Sequence, residues 1–264
     1  MMVPKYSARG NRYMDIVFED KDKIIVNKPA GQLTQSGRNF DLDLVSEVMN
    51  YQKSRKESVY AAVINRLDRP VSGLVLIAKN RQSAGKYTKI MQQQGFCKQY
   101  YALVCGKFDE KQGIFVDYLI KGKDNIAKVV KEGCPGAKEA KLEYKVVAEA
   151  KIKPQDGEEN RTGCETDGGM WISMVEITLI TGRFHQIRAQ FASRGHGIVG
   201  DVKYNGGMNV SGADMPDRMS DKVLKEIRLK PREIALCAHS LNVDGKVYDI
   251  TPEWWRMCLN SEMS

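Results

Sequence analysis

Between residues 63 and 80 the chain reads VINRLDRPVSGLVLIAKN. The carboxylate of Asp68 and the guanidinium of Arg66 stand two positions apart, so on an extended backbone they project to the same side. A carboxylate beside a fixed cation can act as a nucleophile or a general base. The same pairing also fits an ordinary ion pair at a strand end. Pro70 and Gly73 then mark a turn. Residues 74–78 are apolar without alternation and of strand length, the pattern of a strand buried on both faces. The acid is thus expected at the mouth of a hydrophobic scaffold.

Other elements must position that acid. Residues 16–20 and 24–27 read as short strands around a Lys-Asp turn, followed by Lys28-Pro29-Ala30-Gly31, where Pro29 stops pairing and Gly31 permits a turn. Leu42, Val45 and Met49 recur at helical spacing after a cap at Asp41. A second helix over residues 81–95 has Tyr87, Ile90 and Met91 on one face and ends at Gly95. Residues 98–104 form a strand carrying Tyr100, with Tyr101 on its opposite face; a strand Tyr is most often core or sheet surface.

Strands are expected over 106–131 and 138–150, and a polar surface insertion over 152–169. A strand over 170–180 leads through Thr181-Gly182-Arg183 to a helix over 189–195. A strand, a Gly turn and a helix start direct backbone N–H groups outward, where an anion can sit. His185 and Asp201 read by themselves as structural residues, Asp201 in a Gly-Asp turn. Residues 208–216 read as a turn-rich linker and 217–230 as a basic helix. Residues 234–243 form a strand, turned at Asp244-Gly245 into 246–250. Trp254 and Trp255 read as core caps.

The 264 residues carry a formal charge of +8 and a pI near 9.1. That balance favours a polyanionic partner. A chain of this size buries about 70–75% of its unfolded surface without staples. The six cysteines include no Cys-x-x-Cys pair and there are three histidines, so zinc-site spacing is absent. Scattered thiols and an N-terminus without an apolar core segment read as a cytoplasmic chain. No apolar run approaches the ~20 residues of a membrane helix. The glycines form neither a phosphate loop nor a dinucleotide fingerprint. The expected organisation is a flexible lead-in over 1–14 and one domain over 15–264.

Residues 65–79, NRLDRPVSGLVLIAK, resemble the signature of the RluA-type pseudouridine synthases: His-Arg-Leu-Asp, two variable residues, Thr-Ser-Gly, and a hydrophobic strand closed by Ala-Lys. Asn65 stands where His is usual and Val71 where Thr is usual. Asn27-Lys28-Pro29-Ala30-Gly31 resembles the family's first motif, and Lys98-Gln99-Tyr100-Tyr101-Ala102 its Lys-x-Tyr-x-Ala. Thr181-Gly182-Arg183-Phe184-His185-Gln186-Ile187-Arg188 resembles Thr-Gly-Arg-Thr-His-Gln-Ile-Arg, with Phe184 for Thr, so that packing is expected where a hydrogen bond is usual. Ile198-Val199-Gly200-Asp201 and the strand over 234–243 resemble two later elements. About two dozen residues precede the first motif, so a stand-alone catalytic domain without an S4 domain is expected.

The strand-rich reading gives an α+β fold. The resemblance implies a mostly antiparallel mixed sheet flanked by helices, with a central RNA-binding cleft. It further implies conversion of uridine to pseudouridine in ribosomal or transfer RNA, by a monomer needing no metal or other cofactor. Asp68 would be the catalytic carboxylate, Tyr100 would lie against the base, and Arg188 would pair with Asp68. Lys28, Arg66, Arg183 and His185 are assigned to RNA. Two other functions compete: a catalytically silent RNA-binding or ribosome-assembly protein, and a nucleoside hydrolase.

Overall fold

The computed structural model describes residues 6–8, 12–36, 43–93, 95–152, 170–205 and 228–260. The insertion expected over 152–169 and the linker and basic helix expected over 208–230 fall largely outside them. The chain divides into two compact units. The first is drawn from Met1–Tyr100 and Lys230–Glu253, the second from Tyr101–Leu229 and Trp254–Ser264.

In the first unit, β1 (Tyr6–Ala8), β2 (Arg12–Glu19), β3 (Lys23–Lys28), β5 (Ser72–Ala78) and β11 (Leu236–Val243) lie side by side, with the short β4 (Ala62–Val63) paired to β5 and β12 (Lys246–Asp249) to β11. The lead-in expected up to Met14 thus contains β1 and the start of β2. β3 and β5 pair antiparallel along their whole length, Lys23 against Ala78 through Lys28 against Gly73. β11 runs parallel to β5, which makes the sheet mixed. Leu74, Val75, Leu76, Ile77 and Ala78 are all fully buried, as their unbroken apolar run predicts.

Among the described residues two helices lie within this unit. α1 (Leu44–Ser54) is capped by Asp43, whose carboxylate accepts from Ser46 N at 2.7 Å and also from Ser36 N. The cap is therefore Asp43 and not Asp41, which lies outside the described residues, and the buried face is Leu44, Val48 and Tyr51. α2 (Arg81–Gln92) starts at an Asn80–Ser83 capping box and buries Tyr87 in a cluster with Leu74, Leu76, Phe96 and Leu241. Asp244 and Gly245, both at positive φ (56° and 74°), close the β11–β12 hairpin, the geometry an Asp-Gly pair favours.

β6 (Phe96–Cys105) passes from the first unit into the second. There β7 (Gln112–Lys121), β8 (Ala127–Val130), β9 (Lys138–Ile152) and β10 (Met170–Leu179) form an antiparallel set in the order β10-β9-β7-β8. α3 (Gln186–Ala192) is almost wholly buried, and its Phe191 packs among Phe108, Phe115 and Tyr144. The short α4 (Val202–Asn205) supplies Tyr204 to a cluster with Leu119, Ala127 and Ala189. In α5 (Glu253–Asn260), Trp255 stacks on Tyr101 at 3.9 Å, and both tryptophans are buried. Among the described residues no helix is long and apolar enough to cross a membrane.

Candidate active site

Asp68 sits, half-buried, in an irregular stretch just before β5. Its neighbours on both sides are held by residues distant in sequence. Thr34 Oγ1 donates to Leu67 O at 2.8 Å and accepts from Leu67 N at 3.2 Å. Gly31 N donates to Arg69 O at 2.7 Å, and Arg69 Nε returns a bond to Gly31 O at 3.0 Å. Val71 N closes a turn onto Asp68 O at 3.1 Å, and Ile234 N donates to Pro70 O at 3.2 Å. The loop after β3 therefore clamps the loop that carries the acid, which fixes the carboxylate's backbone at both shoulders.

Asn65 shows how the departure from the family pattern is accommodated. It is buried, and its side-chain amide donates to Leu74 O at 3.0 Å and accepts from Leu76 N at 2.8 Å. Ile64 N reaches Leu76 O at 2.9 Å. The amide thus satisfies two backbone groups of a strand that has no water to bond. Gly73 serves the same strand differently. Its φ is +124°, and a Cβ there would lie 2.5 Å from Ala238 N and O. Only glycine lets β5 and β11 approach this closely.

Lys28 lies at the end of β3 with 0% exposure. Its ammonium donates to Pro29 O and Gln32 O, both at 2.9 Å. Burial pulls its pKa down to about 8, opposed first by the negative charge of Asp68 and then by Cys237 and Glu233. Lys28, expected as an RNA contact, is buried, its ammonium held by carbonyls of the loop that follows β3. Tyr100, 6% exposed, has its phenol pushed up by burial, then by Asp68 and Cys237. Cys237 is itself raised to about 12, chiefly by burial. The first unit thus gathers Asp68, Lys28, Tyr100 and Cys237 within electrostatic reach of one another. Arg66 is exposed.

The second unit holds the remaining expected residues. α3 begins at Gln186, three residues earlier than expected, because His185 adopts a left-handed conformation (φ 51°) that turns the chain into the helix. Gln186 organises the loop before it. Its Oε1 accepts from Thr181 Oγ1 at 2.8 Å and Arg183 N at 2.9 Å, and its Nε2 donates to Lys141 O at 3.1 Å. One of the outward N–H groups expected to meet an anion is therefore satisfied internally.

Arg188, 4% exposed, is gripped by Asp201, 1% exposed: Nε donates to Oδ2 at 2.7 Å and Nη2 to Oδ1 at 2.8 Å. The Arg188 guanidinium also lies 4.9 Å from the centre of the Tyr204 ring. Arg183 is exposed, with Nε donating to Glu139 O at 2.7 Å. His185 is partly buried, its Nδ1 2.8 Å from Tyr204 Oη. Sequence reasoning missed Thr34, Gln186 and the grip of Asp201. For Asp201 the available signal was its place in the Ile-x-Gly-Asp element.

Residues 22–193 match the family described as RNA pseudouridylate synthase. The chain belongs to that family. Among curated RNA pseudouridine synthases, it is 28% identical over 207 residues to "Uncharacterized RNA pseudouridine synthase YhcT" of Bacillus subtilis, an alignment that takes in 78% of this chain and 61% of that protein's length. It is 32% identical over 208 residues to "Dual-specificity RNA pseudouridine synthase RluA" of Vibrio parahaemolyticus, covering 77% of this chain and 74% of that one. The solved structure of human RNA pseudouridylate synthase domain containing 4 superposes with a TM-score of 0.67 at 18% identity, over 93% of this chain and 91% of that one. That likeness carries the α+β pseudouridine synthase fold expected from the sequence.

Proposed function

We propose that this chain isomerises uridine to pseudouridine within RNA, of the ribosomal or transfer class, with Asp68 as the acting carboxylate. The observation that carries the reading is the company Asp68 keeps: a half-buried acid, clamped on both shoulders, whose charge is felt by a fully buried ammonium at Lys28 and a buried phenol at Tyr100. In such a reaction the N-glycosidic bond breaks, the uracil turns, and C5 joins the ribose C1′. The proton leaving C5 balances the one gained at N1. Asp68 would attack C1′, attack C6 of the base, or take the C2′ proton; each route needs the carboxylate ionised.

Tyr100 is assigned to the base. Its raised pKa keeps the phenol protonated at neutral pH, so it serves as a hydrogen-bond donor and an apolar surface, not as a proton acceptor. Arg188, locked in orientation by Asp201, is the cation that the motif resemblance assigns to the carboxylate. A stacked uridine must leave its stack to react, at about a few kcal/mol. The formal charge of +8 supplies the attraction to RNA.

The test is tritium release from ribosomal and transfer RNA transcribed with 5-tritiated uridine, comparing the wild type with Asp68→Ala. The expected result is release by the wild type, loss of at least a thousandfold in the variant, and RNA binding within about threefold of the wild type. RNA binding without release by either protein makes the chain a silent RNA binder. Free uracil makes it a hydrolase.

A further inference from the structure

The loop in front of α3 presents an aromatic surface that the chemistry at Asp68 leaves unexplained. Phe184 is 40% exposed. Its ring lies almost parallel to the His185 imidazole, with centroids 3.8 Å apart and 19° between planes. His185 is held in turn: Nδ1 pairs with Tyr204 Oη at 2.8 Å, and the Tyr204 ring stands edge-on to it at 5.7 Å. Tyr204 Oη also accepts the Ala127 N–H of β8 at 2.8 Å. The left-handed backbone at His185 is uncommon for a residue with a side chain; here it aims the stacked pair outward. Phe184 is therefore a flat apolar ring mounted on a rigid chain of supports.

Basic side chains lie on and beside this loop. Lys121 Nζ, at the end of β7, lies over the Phe184 ring at 4.7 Å from its centroid, an exposed, flexible side chain that swings aside for a base to take its place. Lys203 Nζ bonds Asn125 O at 2.9 Å across the β7–β8 turn, and Arg183 is anchored on β9 through Glu139 O. All three side chains are exposed. Lys128 of β8 is paired with Asp124 of that turn at 3.0 Å. An exposed ring flanked by basic side chains matches single-stranded nucleic acid, whose bases stack on the ring while its phosphates meet the cations. It does not match a duplex, whose bases are already stacked.

We propose that Phe184 stacks an unpaired base of the RNA substrate, with Lys121, Arg183 and Lys203 holding its flanking phosphates. That the partner is RNA rests on the function proposed above. The site lies in the second unit.

The probe is a ten-nucleotide oligouridylate with one central 2-aminopurine, whose fluorescence falls on stacking. The wild type should quench it on binding. Phe184→Ala should lose the quench and bind about tenfold more weakly, Phe184→Trp should keep both, and Lys121→Gln should weaken binding with a shallower salt dependence. A blunt RNA duplex should bind wild type and Phe184→Ala within about twofold. In tritium release, Phe184→Ala should raise KM with little change in kcat. Unchanged oligonucleotide affinity and quench in a Phe184→Ala protein of wild-type thermal stability would overturn the proposal, as would an equal loss for the duplex. If the wild type releases no tritium, the catalytic reading fails, while the quench still decides the platform.

Discussion

Asp201 meets Arg188 with both carboxylate oxygens, at 2.7 and 2.8 Å, in surroundings where neither side chain is more than 4% exposed. Removing either partner breaks a buried, doubly bonded ion pair, which typically costs about 3–5 kcal/mol. Asp201→Ala should therefore lower unfolding free energy by that amount in urea denaturation and reduce turnover as well. The double variant Arg188→Met/Asp201→Leu should recover most of the stability but none of the activity. A cost below about 1 kcal/mol for Asp201→Ala would show that the pair is not desolvated as described.

Lys28 gives a pH signature. Its pKa drops on folding from 10.5 to about 8, because burial disfavours the charged form more than Asp68 favours it. Between those values the unfolded chain holds more protons, so stability rises with pH across that window. Below pH 8 the ammonium is charged in both states and its burial cost stands in full. Wild-type urea midpoints should climb from pH 8 to 10, whereas Lys28→Met should show no climb from this source. Turnover should fall as pH passes 8, when the Lys28 ammonium loses its proton; Lys28→Met should be slow and flat there. A wild-type rate rising through pH 9 contradicts the assignment.

Asn65 bridges Leu74 O and Leu76 N within a fully buried strand. Asn65→Ala leaves two backbone groups without partners, at about 1–3 kcal/mol each. Asn65→Asp keeps the acceptor for Leu76 N but sets a carboxylate oxygen against Leu74 O, and should be at least as damaging. Thermal unfolding of both variants measures this. Because the Asp68 loop hangs from the same strand, tritium release should fall with stability.

At Gly73, an added methyl group would meet the Ala238 backbone at 2.5 Å in a conformation that side chains rarely adopt. Strand backbones cannot yield as a flexible side chain can. Gly73→Ala should cost more than about 3 kcal/mol and leave little soluble protein. Gly31→Ala, also at positive φ (86°) but with open space around it, should cost less, about 1 kcal/mol. Comparing their melting temperatures separates the steric term from the conformational one.

Much of the frame was legible because it is local. The unbroken apolar run at residues 74–78 announced a doubly buried strand, Asp244-Gly245 a tight hairpin, and the face of Tyr87, Ile90 and Met91 a helix that starts at Arg81 as expected and ends at Gln92, before Gly95. Periodicity and turn chemistry are written in neighbouring residues. The ordered motifs carried the family and singled out Asp68, Tyr100 and Arg188.

What the linear text could not supply was the partner of each buried polar group. Lys28 read as a contact for RNA; folding buries it and gives its ammonium to the carbonyls of Pro29 and Gln32. Thr34 steadies Leu67 from 33 residues away, and Asp201 grips Arg188 from 13 away. The choice of residue types and their order was fixed by the chain itself, since each segment's apolar spacing acts over a few residues. The pairing of charges and amides was decided only by tertiary packing, because a group shut off from water must take whichever partner the fold brings within 3 Å.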